Sequence, residues 1–262
     1  MKQKIYQIDA FTETIFGGNP AAVCPLEKWL ADDILQKIAM ENNLAETAYY
    51  VKKDNTYEIR WFTPTVEVDL CGHATLAAAY VLFTYEGHTS DNVEFHSPRS
   101  GKLTVTKNKE LLTLNFPSDS LQKITVSEEM KKGFDQQPVE VFKGKTDYMF
   151  VFNDETQIQK LKPNFQELSK WDVRGVIATA KGEKSDFVSR FFAPQSGIDE
   201  DPATGSAHTT LTPYWADRLG KNELSAIQLS ARKGYLSCKF LKDRVEISGK
   251  AKLYLIGEIY LK

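Results

Sequence analysis

The chain has 262 residues, enough for one large domain or two of ordinary size with substantial cores. Hydrophobic residues make up 42 % and charged residues 26 %, a globular balance, and a formal net charge of -2 without any Lys or Arg run excludes an electrostatic footprint for nucleic acid. No apolar window approaches bilayer-spanning length and the three cysteines (Cys24, Cys71, Cys238) form no disulfide framework, so a soluble, reduced, cytoplasmic protein without membrane or nucleic-acid partners is expected.

The first nine residues, Met1 to Asp9, break their apolar positions with polar ones and read as a strand, not a signal peptide. The turn Phe16-Gly-Gly-Asn-Pro20 follows, then a short strand at Ala21 to Cys24. Ile34, Leu35, Ile38 and Ala39 are spaced for an amphipathic helix over Leu30 to Glu41, ended by Asn42-Asn43. Thr47 to Val51 and Tyr57 to Phe62 read as strands joined by a polar turn. The helix after Gly72 has almost no polar face (Ala74, Leu76, Ala77, Ala78, Ala79, Val81, Leu82, Phe83), so it should be buried all round, with a sheet wrapped about it. Strands are expected at Val93 to His96, Lys102 to Lys107 and Leu111 to Phe116, followed by a patternless polar stretch, Pro117 to Glu128.

Beyond that stretch, Glu140 to Phe142, Asp147 to Phe152, Gly175 to Ala180 and Asp186 to Phe192 read as strands, with a short helix within Ile158 to Trp171. A second central helix is expected from Ser206 to Leu219, interrupted by Pro213 and closed by Gly220. Four more strands (Ile227 to Ser230, Gly234 to Leu241, Arg244 to Ser248, Leu253 to Leu261) complete the chain.

An internal repeat organises these elements. Arg60-Trp-Phe-Thr-Pro recurs as Arg190-Phe-Phe-Ala-Pro, 130 residues on, and Gly72-His-Ala recurs as Gly205-Ser-Ala, 133 residues on. Such spacing points to two related half-domains: residues 1–120, joined by the closing strand at 251–262, and residues 121–250.

Four motifs then carry a resemblance: Phe16-Gly-Gly-Asn-Pro-Ala-Ala-Val, Asn43-Leu-Ala-Glu-Thr-Ala, Phe62-Thr-Pro with Cys71-Gly-His-Ala-Thr, and Asp199-Glu-Asp-Pro-Ala-Thr-Gly-Ser-Ala. Together, and over essentially the whole chain, they resemble the phenazine-biosynthesis PhzF-like isomerase family. The resemblance implies an α+β, diaminopimelate-epimerase-like fold. Its two pseudo-symmetric half-domains each wrap a sheet around a central helix, and the active site lies in the cleft between them. It implies cofactor-independent isomerisation of a small carboxylate-bearing substrate, a dihydro-hydroxyanthranilate in the archetype, by a homodimer. It gives Glu46, His73 and Asp201 the catalytic work, and places Gly72 and Ser206 at the substrate.

The residues support this chemistry on their own terms. Glu46 is a lone charge among small and apolar neighbours; a solvated strand-edge glutamate is the competing reading. At the 130-residue offset the second half has Val176, so the fold itself requires no carboxylate there. A general acid/base that takes and returns a proton is best served by a carboxyl in a dry site. Gly72-His73 and Gly205-Ser206 stand at the starts of the two central helices, where free N–H groups favour a carboxylate. His73 adds a donor or acceptor, with a capping role as the alternative. Asp201 precedes Pro202 and equally suits a turn cap, while Asn19 either binds substrate or pins its loop.

Cysteines separate the rival readings. Racemases of similar fold use two thiols, one from each half; Cys71 occupies the first such place, but the repeat sets Thr204 against it. A racemase or epimerase using Cys71 is therefore the first rival, and a non-catalytic ligand-binding member of the fold the second. The four histidines (His73, His88, His96, His208) show no paired metal spacing, Cys71-x-His73 alone is weak, and neither metal nor cofactor is expected.

Overall fold

A computed structural model describes residues 2–261; Met1, where the first expected strand begins, and Lys262, where the closing segment ends, lie outside them. The chain divides into two compact units, Met1–Asn115 with Ser248–Lys262, and Phe116–Ile247.

In the first unit β1 (Lys2–Ala10) turns back into β2 (Asn19–Leu26), antiparallel from Tyr6 opposite Val23 to Ala10 opposite Asn19. Helix α1 (Asp32–Asn42) buries Leu35, Ile38 and Ala39 and stops at Asn43, whose left-handed backbone (φ 47) returns its N–H to the Ala39 carbonyl. The crossover makes β3 (Glu46–Lys53) parallel to β2; β4 (Thr56–Phe62) and the short β5 (Glu67–Val68) follow antiparallel. Helix α2 (Gly72–Thr84) then leads to β6 (Asn92–Ser97), parallel to β4, and on to β7 (Gly101–Asn108) and β8 (Leu111–Pro117). The chain's last strand, Ala251–Tyr260, lies antiparallel to β1.

Helix α2 is the core of this unit. Ten of its residues, from Gly72 to Leu82, are buried, and β1, β2, β3, β7 and the last strand all pack against it. Burying Leu76, Val81 and Leu82 contributes about 1.5–3 kcal/mol each. A helix apolar on nearly every face is stable where other elements cover it all round.

The second unit contains β9 (Gln122–Ile124), β10 (Glu140–Lys143), β11 (Asp147–Val151), α3 (Glu155–Lys160), α4 (Phe165–Leu168), β12 (Gly175–Lys181) and β13 (Phe187–Ala193). It continues through β14 (Ile198–Asp201), α5 (His208–Leu219), β15 (Glu223–Gln228), β16 (Gly234–Phe240) and β17 (Arg244–Gly249), and the last strand is β18. Its pairing repeats the first: β11–β12 parallel, β12–β13 antiparallel, β13–β15 parallel, β15–β16 antiparallel. Phe134, Phe150, Phe152, Ile158 and Phe192 anchor its apolar cluster.

The repeat extends to side chains. Arg60 grips Glu67 through Nε (2.7 Å) and stacks on Phe62; Arg190 grips Glu200 through Nε (2.7 Å) and stacks on Phe192. Glu67 and Glu200 are 133 apart, the spacing of Gly72 and Gly205.

Three expectations are corrected. The stretch expected to be patternless holds β9, which gains order by pairing with β10. Two helices, not one, occupy the region after β11, because Asp154 and Asn164 each cap a separate start. The second central helix begins at His208, not Ser206. Residues 205–207 form a tight turn in which His208 and Thr209 donate to the carbonyls of Gly205 and Ser206, three residues back. No described helix is long and apolar enough to cross a membrane.

Candidate active site

In the first unit four of the expected residues converge. Glu46 opens β3 and pairs in parallel register with Ala21, so it lies two residues along from Asn19 on the neighbouring strand. Asn19 is reached through a turn only glycine can make. Gly18 has φ +58, and a Cβ there would stand 2.0 Å from the Ala10 carbonyl oxygen. The buried Asp9 carboxylate steadies the same turn by accepting from the Phe16 N–H at 2.8 Å.

His73, the second residue of α2, is placed by the buried helix and is itself buried. Its Nδ1 faces the Asn19 amide nitrogen at 3.1 Å and the Cys71 sulfur at 3.5 Å, and its Nε2 faces a Glu46 carboxylate oxygen at 3.2 Å. With Asn19 and Cys71 at Nδ1 and the Glu46 carboxylate close to Nε2, the ring is held between the start of β2 and the start of β3. That close approach confines the carboxylate beside the imidazole. Cys71 is the extended residue that caps α2 (φ -139), and its carbonyl accepts from the Thr75 N–H and hydroxyl. Glu46 keeps 14 % of its side-chain surface exposed. This combination of a mostly dry carboxylate, an oriented imidazole and a small opening is what proton transfer to and from a bound molecule requires.

In the second unit the buried Gln228 fixes the turn that carries Asp201 and Thr204. Its side-chain oxygen accepts from the Thr204 N–H at 2.7 Å, and its amide donates to the Asp201 carbonyl at 2.7 Å. The Thr204 hydroxyl donates to the Asp201 carboxylate in a short bond, so Asp201 also braces the turn, the alternative weighed from the sequence. Gly205 and Ser206 lie in the turn before α5, not at its first residues.

Sequence reasoning missed Arg174. Its guanidinium forks onto the buried Asp147 carboxylate (Nε to Oδ1, 2.9 Å, and a second shorter bond), sits over the Phe191 ring, and donates from Nη1 to the Ser206 hydroxyl at 2.8 Å. Burial works against its charge, but Asp147 prevails and holds the guanidinium above its ordinary range. Accepting from Arg174 leaves the Ser206 hydroxyl to act as a donor elsewhere.

Strand register also changes the internal comparison. Phe62 pairs with Thr47, and Phe192 pairs with Val176, so the counterpart of Glu46 is Gly175 rather than Val176. Arg174 therefore stands beside the place that Glu46 holds in the first unit, and Ser206 matches His73. One unit sets a carboxylate on an imidazole where the other sets a guanidinium on a hydroxyl.

The other titratable candidates are structural. His208 is fully buried, burial pushes it down to about 4, and its Nδ1 meets the Thr204 carbonyl at 2.9 Å. Burial pushes the thiols of Cys24 and Cys238 up to about 12.

Residues 8–257 match the family model described as phenazine biosynthesis-like protein. The chain is 49 % identical, over 100 % of both chains, to the uncharacterized isomerase PA2770 of Pseudomonas aeruginosa. It superposes with a TM-score of 0.97, at 47 % identity and 100 % coverage of both chains, on the crystal structure of a PhzF-family phenazine biosynthesis protein from Enterococcus faecalis. The fold reaches further: a probable proline racemase from Agrobacterium radiobacter superposes with a TM-score of 0.67 at only 8 % identity, covering 99 % of this chain and 93 % of that one.

Proposed function

The chain belongs to the phenazine biosynthesis-like (PhzC-PhzF) family and is an isomerase, and from that premise we propose that it moves a proton between carbon atoms of a small carboxylate-bearing substrate without a cofactor. The observation that carries this reading is the Glu46–His73–Asn19 arrangement, with His73 Nε2 3.2 Å from the carboxylate and Asn19 3.1 Å from Nδ1. In the proposed step Glu46 takes a proton from a substrate carbon. The C–H electron pair passes into the adjoining π system, and the new carboxyl O–H returns its proton to a second carbon. The imidazole holds the carboxylate oxygen in one position through both transfers.

Asn19 and Gly72 in the first unit, and Asp201, Gly205 and Ser206 in the second, are the proposed substrate contacts, with Asp201 as a further acid/base group. The substrate is proposed to be a cyclic amino acid of the dihydro-hydroxyanthranilate kind, and the protein a cytoplasmic homodimer. A second reading, an amino-acid racemase using Cys71, is favoured by the 3.5 Å contact between the Cys71 sulfur and His73. It is disfavoured by Thr204, which holds the counterpart position and carries no thiol.

Proton NMR in D2O with dihydro-hydroxyanthranilates and D- and L-amino acids separates these. Isomerisation with deuterium uptake is expected for the wild type, falling by about 10²- to 10⁴-fold in Glu46→Gln. Inversion that survives Glu46→Gln and is lost in Cys71→Ser would establish the racemase instead.

A further inference from the structure

Glu46, Cys71 and His73 form a second kind of site with the same atoms. One carboxylate oxygen, one sulfur and one imidazole nitrogen lie within 4.8 Å of one another, on residues that are buried or nearly so. We propose that this cluster binds a zinc-class divalent cation, and that the cation, by taking the Glu46 carboxylate, switches proton transfer off. The effect on catalysis rests on the reading of Glu46 above; the binding does not.

Geometry and ligand chemistry agree. A tetrahedral centre with bonds of about 2.0–2.3 Å holds its ligand atoms about 3.3–3.8 Å apart. The Cys71 sulfur stands 3.5 Å from His73 Nδ1 and the Glu46 oxygen 3.2 Å from Nε2, so the ring turns to offer one nitrogen to a cation between them. With all three ligand atoms inside 4.8 Å, the longest separation closes by at most about 1.5 Å. Thiolate, imidazole and carboxylate together select zinc or cobalt over magnesium or calcium, which prefer oxygen alone. Three protein ligands leave a fourth position open. The Asn19 amide, now 3.1 Å from Nδ1, can turn its oxygen toward that position. Cys71 binds as the thiolate and its proton goes to solvent, so each cation bound releases a proton. Sequence spacing hides the set, because Glu46 lies 25 residues before Cys71 and reaches it only through the β3–α2 packing.

Cobalt(II) titration tests this, since a thiolate on cobalt gives an intense charge-transfer band that needs no substrate. One equivalent per chain is expected, with a sulfur band that zinc displaces. The band should vanish in Cys71→Ser and persist in Cys24→Ala, whose sulfur is buried elsewhere in the core. Glu46→Gln and His73→Gln should each weaken binding by at least about tenfold, the lower bound even for an outer-sphere partner of a metal. Absence of stoichiometric binding, or a band that survives Cys71→Ser, overturns the site. Deuterium exchange measured with zinc and with EDTA separates the two claims. Zinc bound with exchange undiminished keeps the metal site and removes Glu46 as the base. Exchange that depends on Glu46 without any metal binding removes the metal site alone.

Discussion

Replacing Arg174 by Met tests how the second unit holds Ser206. The substitution leaves the Asp147 side chain, 2 % exposed, without its counter-charge, while the Arg174 side chain is 38 % exposed. Breaking a buried pair from one side costs about 3–5 kcal/mol; the partial exposure of the Arg174 side chain moves the expectation to the lower end, about 3 kcal/mol. Asp147→Asn with Arg174→Met removes both charges and should recover most of that, giving a coupling energy of about 2 kcal/mol in a double-mutant cycle. Urea unfolding monitored by tryptophan fluorescence reads it, since Trp171 and Trp215 both lie in this unit. A single mutant within about 1 kcal/mol of wild type, or a double mutant no more stable than the single, would refute the assignment of Arg174 to Asp147 as a buried, mutually dependent pair.

His208 makes stability in the second unit pH-dependent in a defined window. Its folded value of about 4 lies below the ordinary 6.5, so between these values the unfolded chain binds more protons and stability drops as the pH falls. The full effect is about 3 kcal/mol, and His208→Gln, which carries no titrating group, should flatten that limb of the urea midpoint–pH curve; an unchanged slope would show that other groups dominate it. Gly18→Ala forces a Cβ onto the Ala10 carbonyl at φ +58 and should cost at least about 2 kcal/mol. The same change displaces Asn19 from His73, so exchange activity should fall together with the melting temperature; a variant as stable and active as wild type would show that the turn relaxes freely.

The sequence made the elements legible wherever one periodicity dominated. Helix α2 and the strands β3, β4, β6 and β7 carry patterns that their burial enforces, and the Arg60/Arg190 repeat recurs as two equivalent ion pairs stacked on equivalent phenylalanines. Short elements were illegible for a physical reason. β9 has three residues and β14 four, too few for a period to register, and both are ordered by their partner strands. The start of α5 failed similarly, because Gly205, Ser206 and Ala207 suit a tight turn as well as a helix, and the buried Gln228 fixes the turn from 24 residues beyond Thr204.

Glu46 and His73 were legible as candidates because their motifs are local, whereas their mutual geometry was not, since it depends on β3 entering beside α2. Arg174 shows the limit most clearly. A constant 130-residue offset pairs Glu46 with Val176, yet the strand ladder shifts that offset by one residue and exposes Gly175, with Arg174 directly before it. A single-residue slip along a strand reverses which face a side chain occupies. Linear alignment of the two repeats therefore sets an inward carboxylate against a residue on the wrong face, and conceals that the second unit carries a guanidinium next to that place. Divergence between duplicated halves is thus read from ladder register first and from residue identity second. By that reading, the two units differ at matched ladder positions, the first setting a carboxylate beside an imidazole and the second a guanidinium on a hydroxyl.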